Sequence, residues 1–251
     1  MQKLSAVIIT FNEEQNIERC LLSIVGVADD IVILDSFSTD ATEVICKKYN
    51  VNFIPRKWEG YSETKNFANT QAKFDLILSL DADESLSEQL RRSILKIKEN
   101  AEKLSCSFNR LNNYCGTWIK HSGWYPEVKI RLFDRNNAQW QGNIHEHLVF
   151  KNKTQVVHLK GDCLHYSYYS VTEHKERALK YAKLWAHSKQ NDGIKSSLLK
   201  ILYKPIATFL RGYVLHLGFL DGSSGFTIAR ITTWATYIRY SLLYNLNKNR
   251  T

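Results

Sequence analysis

The chain has 251 residues, 44% hydrophobic and 24% charged, a balance that builds one substantial core with a smaller appended part and carries no disorder signature. Its net charge of +9 favours anionic partners: phosphorylated substrates, nucleic acid or an anionic membrane. Three prolines, eleven glycines and five scattered cysteines without a CxxC pair argue against a linker-like stretch, a disulfide framework and a thiolate zinc site.

Leu4 to Thr10 is a short apolar run rich in β-branched residues and reads as a buried strand. The opening Met-Gln-Lys passes straight into it, unlike a secretory signal, so a cytosolic location is expected. Ile17, Leu21 and Ile24 recur at helical spacing and predict a helix over about Glu13 to Val25. A second strand covers Ile31 to Leu34 and ends at Asp35. Asp40, three residues before Glu43, resembles a capping box opening a helix with Val44 and Ile45. Asn52 to Ile54 is a third strand, and Ser62 is the expected cap of a helix through Ala72. Leu76 to Leu80 is a fourth strand ending at Asp81, and a helix from Ser87 places Leu90, Ile94 and Ile97 on one face.

This alternation predicts an α/β domain with a mostly parallel sheet flanked by helices. Ligands of such sheets bind beyond the carboxyl ends of the strands, where Thr10, Asp35 and Asp81 all fall. From Ser105 to about Val157 the pattern becomes short strands and aromatic-rich loops. From about Ser170 it is helical, with Ala178, Tyr181, Ala182 and Trp185 as one apolar stripe.

Three segments at those strand ends carry chemistry. Asp81-Ala82-Asp83 places two carboxylates at i, i+2 after an apolar strand, an arrangement able to meet a hard divalent cation; the bland alternative is an acidic turn capping the next helix. Thr10-Phe11-Asn12-Glu13 joins a strand end to a helix start, whose backbone N–H groups suit a phosphate and whose Phe11 ring suits a base. As an isolated signal it reads equally as a pair of caps. No GxGxxG or GxxxxGK[ST] follows the strand, which disfavours dinucleotide and P-loop sites. Asp35 can accept from the imino N–H of a pyrimidine, while Asp40 reads as an N-cap.

In this order and spacing the three segments resemble glycosyltransferase family 2, whose donor domain has the GT-A fold. The resemblance implies that Thr10, Phe11, Glu13, Asp35 and Asp81 contact a nucleotide-sugar donor, that Lys65 lies near its phosphates, and that Asp83 ligates a divalent Mg or Mn. His121-Ser-Gly-Trp124-Tyr-Pro, Arg131-Leu-Phe133, Gly142-Asn-Ile-His145-Glu146-His147 and Gly218-Phe-Leu-Asp221-Gly222 narrow it to the bacterial lipopolysaccharide core β-1,4-glucosyltransferase group. An inverting transferase needs one carboxylate to take the acceptor's proton, and Glu146 is the candidate. Its alternative role is an ion pair with Arg131 or Arg135 that pins a loop. Trp124, Arg131 and His147 are acceptor-side candidates. His145 is a further candidate metal ligand, and His145 and His147 could instead bind a metal with His165.

The expected organisation is a catalytic domain over 1–165, with its donor half at 1–100 and its acceptor half at 101–165, then a helical region over 166–251. The implied reaction moves a hexose, glucose from UDP-glucose, onto the lipid-linked inner core of lipopolysaccharide. The implied place is the inner face of the inner membrane. Ser196 to Phe219 is apolar but interrupted by Lys200, Lys204 and Arg211, short of the ~18 residues of a membrane span. It suits either an interfacial helix on anionic lipid or a helix packed on the catalytic domain, with Pro205 starting a segment or kinking it. The rival classes are a nucleotidyltransferase, which needs a Gly- and Arg-rich loop after the first strand, and a nucleic-acid-binding module. No RRM, KH or zinc-finger signature is present, so no nucleic-acid partner is expected.

Overall fold

The computed structural model of the chain describes residues 1–99, 105–142 and 146–248. The chain folds as two compact units, Met1–Arg110 with Glu127–Tyr166, and Leu111–Pro126 with Ser167–Thr251.

The first unit opens with β1 (Leu4–Thr10), α1 (Ile17–Ile24), β2 (Asp30–Asp35), α2 (Thr42–Cys46), β3 (Asn52–Pro55), α3 (Tyr61–Thr70) and β4 (Leu76–Asp81). It continues through β5 (Glu84–Leu86) and α4 (Glu88–Glu99) into β6 (Ser105–Tyr114). After Pro126 come β8 (Glu127–Asp134), β9 (Ala138–Gln141), β10 (His147–Phe150) and β11 (Val156–Tyr168); the short β7 (Thr117–Ile119) falls between β6 and β8 in the chain. The strands lie in the order β3-β2-β1-β4-β8-β6-β11-β5, and β9 with β10 forms a separate two-stranded sheet.

The α/β arrangement is the one the alternation predicts, and β3, β2, β1 and β4 run parallel. Antiparallel strands from the second half extend this sheet through β8. β1 is buried along its whole length because helices cover both of its faces. Leu4, Ala6 and Ile8 join one core with Ile17, Leu21, Leu90 and Ile94; Val7 and Ile9 join another with Ala68, Phe133 and Trp140. The period of two in the strand thus splits one apolar run between two cores. Gly161 in β11 has φ +100°, and a Cβ there would lie 2.3 Å from the backbone nitrogen of Leu90, so the strand's approach to α4 requires glycine.

Two helix starts differ from the expectation. α1 begins at Ile17, since the N–H groups of Asn12, Glu13 and Glu14 donate to Ser38 Oγ, Thr42 Oγ1 and Asp40 Oδ2. They bind the loop before α2 and are not free for a phosphate. Ser62 caps nothing; its hydroxyl donates to the Gly142 carbonyl at 2.6 Å, and Gly60 precedes the helix.

In the second unit α5 (Val171–Asn191) and α6 (Leu198–Phe209) both pack on α7 (Gly222–Lys248). α5 buries His174, Ala182 and Ala186, while Tyr181, assigned to the buried stripe by its spacing, is 53% exposed. Pro205 neither starts nor ends α6; it is buried within it, and the helix passes into a π-helical segment at Leu210–Leu215. Asp221 accepts from the N–H groups of Lys120 and His121 and from His121 Nδ1 at 2.9 Å, tying the segment around Trp124 to the turn before α7. No described helix is long and apolar enough to cross a membrane.

Candidate functional site

The parallel register sets Thr10 opposite Asp35 and Ile9 opposite Asp81, so three strands deliver their polar ends to one sheet edge. Two cavities open there. One, of about 500 Å³, is lined by Ile9, Thr10, Phe11, Glu13, Ser36, Trp58 and Tyr61. Phe11 is 56% exposed to it, and Trp58 meets Tyr61 edge-on at 4.7 Å. Thr10 Oγ1 is buried with no hydrogen-bond partner among the described residues. Asp35 is buried beneath, its carboxylate accepting from the backbone N–H and the hydroxyl of Ser38.

The other cavity, of about 460 Å³, is lined by Asp81, Arg110, Arg131, Trp140, Glu146, His147 and neighbouring strand residues. Helix α3 organises it. Ser62, Lys65 and Asn66 share one helical face. Asn66 exchanges two 2.9 Å hydrogen bonds with the Trp140 backbone, and Ser62 holds Gly142. Between them Lys65, 1% exposed, reaches Glu146 Oε1 at 2.9 Å and Asp81 Oδ1 at 3.0 Å, with its ammonium 4.8 Å from the centre of the Trp140 ring. The partner of Glu146 is therefore Lys65, and neither Arg131 nor Arg135. Lys65, expected beside the donor phosphates, is fixed between two carboxylates.

Arg131 lies deeper. Its Nη2 donates to Asp81 Oδ2 at 2.7 Å and to Glu84 Oε1 at 3.0 Å, while its Nη1 is buried with no hydrogen-bond partner among the described residues. Glu84, fully buried, also accepts from the Asp81 N–H and from Arg110. Burial alone would raise the Asp81 carboxyl, but Arg131 and Lys65 outweigh it and hold the group well below the usual carboxylate range. Burial likewise works against the charge on Arg131, and Asp81 and Glu84 more than restore it.

Asp83 has other company: its Oδ2 lies 3.1 Å from His165 Nε2, and its carbonyl accepts from the Tyr166 N–H. Among the described residues no cluster of three or more His, Cys, Asp or Glu side chains forms a closed metal site. His145 lies outside the described residues. His147 is exposed on the cavity wall, whereas Trp124 belongs to the second unit, its ring edge-on to Tyr114 at 5.9 Å and close to Tyr168 and His174.

Sequence reasoning missed Trp58, Tyr61 and Glu84. The two aromatics follow the end of β3 and open α3, a signal of the same kind as Phe11. Glu84 stands one residue beyond the Asp81-x-Asp83 pair and passed for part of an acidic turn.

The Glycosyl transferase family 2 model matches residues 5–154, which includes every residue lining the two cavities. The chain belongs to glycosyltransferase family 2. The enzyme is 30% identical to an uncharacterized glycosyltransferase of Rickettsia typhi, over 98% of this chain and 88% of that one. It is 26% identical to the lipopolysaccharide core biosynthesis glycosyltransferase LpsC of Rhizobium meliloti, over 95% and 93% of the two chains. Of solved structures, S. aureus TarS 1–349 in complex with UDP superposes with TM-score 0.47 at 16% identity, covering 99% of this glycosyltransferase and 91% of that chain.

Proposed function

We propose that this glycosyltransferase transfers a hexose with inversion, glucose from UDP-glucose, onto the lipid-linked inner core of lipopolysaccharide, working at a membrane surface. The observation that carries the reading is the buried Lys65 bridging Asp81 and Glu146, two carboxylates that line one cavity, beside an aromatic-lined cavity at the same sheet edge. The aromatic cavity takes the nucleoside, with the base against Phe11 or Trp58 and Thr10 Oγ1 donating or accepting. Asp81 faces the donor's sugar or ribose. Glu146 takes the proton of the acceptor hydroxyl as that oxygen forms its bond to the anomeric carbon and the bond to the diphosphate breaks. Lys65 engages Oε1 of Glu146 and leaves Oε2 for that proton; His147 stands on the same wall to orient the acceptor. One carboxylate and no covalent intermediate suffice for inversion.

A divalent cation fits the donor set. Both oxygens of Asp81 are engaged by Lys65 and Arg131, so Asp83 is the aspartate of the pair left to ligate, with His165 Nε2 beside it. The Asp83 carboxylate, with the His165 imidazole beside it, would hold a hard divalent cation, Mn or Mg. Such an ion would neutralise charge on the departing diphosphate.

Transfer from UDP-glucose, with GDP- and ADP-glucose as controls, to purified core oligosaccharide with and without EDTA tests this reading. Full activity in Glu146→Gln would remove the base assignment, and transfer from a different nucleotide sugar alone would remove the donor.

A further inference from the structure

After Asp192 the chain carries one acidic residue, Asp221, against Lys195, Lys200, Lys204, Arg211, Arg230, Arg239, Lys248 and Arg250. Asp221 is itself consumed by His121 and its neighbours. Within this segment α6 is unusual in what it leaves uncovered. Leu198, Leu199, Leu202, Ile206, Leu210 and Leu215 are each between 50% and 75% exposed, although a helix of this composition ordinarily buries its leucines. At about 100° per residue, the exposed apolar positions of α6 itself fill one arc of about 140° or less. Lys200 and Lys204, half-buried, project from the other side of the helix as its polar face, and the buried Pro205 lies at the margin of the arc beside Leu198, in a helix that packs on α7. Tyr203, 42% exposed, carries the Lys204 ammonium over its ring at 5.1 Å, an amphipathic pair of the kind that sits at a lipid headgroup boundary.

We propose that the exposed face of α6 and the following π-helical segment lies in the plane of an anionic lipid surface, with its leucines in the acyl boundary and Lys200, Lys204 and Arg211 at the headgroups. A contiguous apolar face of this breadth needs a cover. Charge chooses the cover: a cationic polar face with no acidic residue anywhere in α6 or the π-helical segment complements anionic lipid. α6 has 12 residues, about 18 Å of helix, which is too short to span a bilayer and sufficient to lie on one. This inference deepens the reading of a lipid-linked acceptor. It gives the enzyme a bilayer-facing surface built from its own chain.

The test is co-sedimentation of the full chain with phosphatidylglycerol and phosphatidylcholine vesicles, without donor or acceptor. The protein should bind the anionic vesicles, bind neutral ones far more weakly, and dissociate as 1 M salt shortens the screening length to about 3 Å. Lys200→Ala with Lys204→Ala should weaken partition about thirtyfold, and Leu199→Asp with Leu202→Asp should abolish it. Leu199 and Leu202 are solvent-facing, and Lys200 and Lys204 are half-buried at positions where alanine keeps the helix, so unchanged circular dichroism and unchanged UDP-sugar hydrolysis are expected in both variants. Equal binding of wild type and variants would overturn the proposal. So would a wild type that ignores anionic vesicles, or one that self-associates through this face in sedimentation velocity and is dissociated by the leucine variant. Vesicle binding without transfer to a lipid-linked acceptor would instead count against the acceptor reading alone.

Discussion

The Lys65 ammonium lies 2.9 Å from the Glu146 carboxylate, and the same nitrogen reaches Asp81 at 3.0 Å. One buried cation therefore joins the end of a parallel strand to a residue far along the chain. Lys65→Met would leave two carboxylates facing one another without their shared counter-charge. Both are partly exposed, so the expected loss lies near the lower end for a broken buried pair, about 3 kcal/mol in a urea titration. Glu146→Gln keeps an oxygen for Lys65 and removes the base. Its stability should stay within about 1 kcal/mol of wild type while kcat falls about 10²- to 10⁴-fold. If the two variants lost stability equally with turnover intact, the pair would be structural only.

Trp58 and Phe11 line the cavity at the end of β1 proposed to take the base. Stacking is worth about 1–3 kcal/mol per base. Trp58→Ala should raise the KM for the donor about tenfold with little change in kcat, as expected for an interaction made equally in the ground and transition states. Equilibrium dialysis with UDP checks the same quantity without turnover.

Asp83 and His165, 3.1 Å apart, are the pair assigned to a cation. Asp83→Asn and His165→Ala should each remove the Mn-dependent rise in melting temperature produced by UDP, and leave the smaller metal-free shift in place. Transfer at saturating Mn should fall by about two orders of magnitude or more in Asp83→Asn. A Mn-dependent shift that survives in both variants would place the ion elsewhere.

The parallel half of the sheet was legible because its signal is local. Leu4 to Thr10 is apolar throughout, and a strand with helices on both faces must be. The positions of Thr10, Asp35 and Asp81 then follow from strand ends alone. What was not legible depends on contacts across long sequence separations. Lys65 reads as a cation on a helix, and nothing in its neighbourhood announces Glu146, which arrives 81 residues later. Glu84 reads as solvated because it adjoins two aspartates, yet Arg131 and Arg110 draw it into the interior. The N–H groups after β1 read as free because their acceptors, Ser38, Asp40 and Thr42, belong to another turn. Tyr181 kept helical phase with Ala178 and Trp185, but α5 turns its Ala182–Ala186 side inward.

The second unit offers a prediction of pH dependence. His174 is buried among Tyr114, Trp124 and Tyr168, and its Nδ1 lies 3.1 Å from the Tyr114 hydroxyl, which can donate to a neutral ring. Burial pushes the imidazole down from 6.5 to about 4. Above pH 6.5 both the folded and unfolded chains hold it neutral, and it contributes no pH dependence. Between 6.5 and 4 the unfolded chain takes up a proton that the folded chain refuses, so stability falls as pH falls, by up to about 1.4 kcal/mol per pH unit. Across the whole window the loss approaches 3 kcal/mol on this basis, and below pH 4 the slope from this group vanishes. His174→Gln can still accept from Tyr114 but does not titrate. It should begin less stable at pH 7.5, since it forfeits the ring packing, and then lose less on acidification. Urea midpoints of the two proteins at pH 7.5, 6, 5 and 4.5 should therefore converge. Parallel curves would mean that His174 charges in the folded state and that the aromatic surroundings do not keep it neutral.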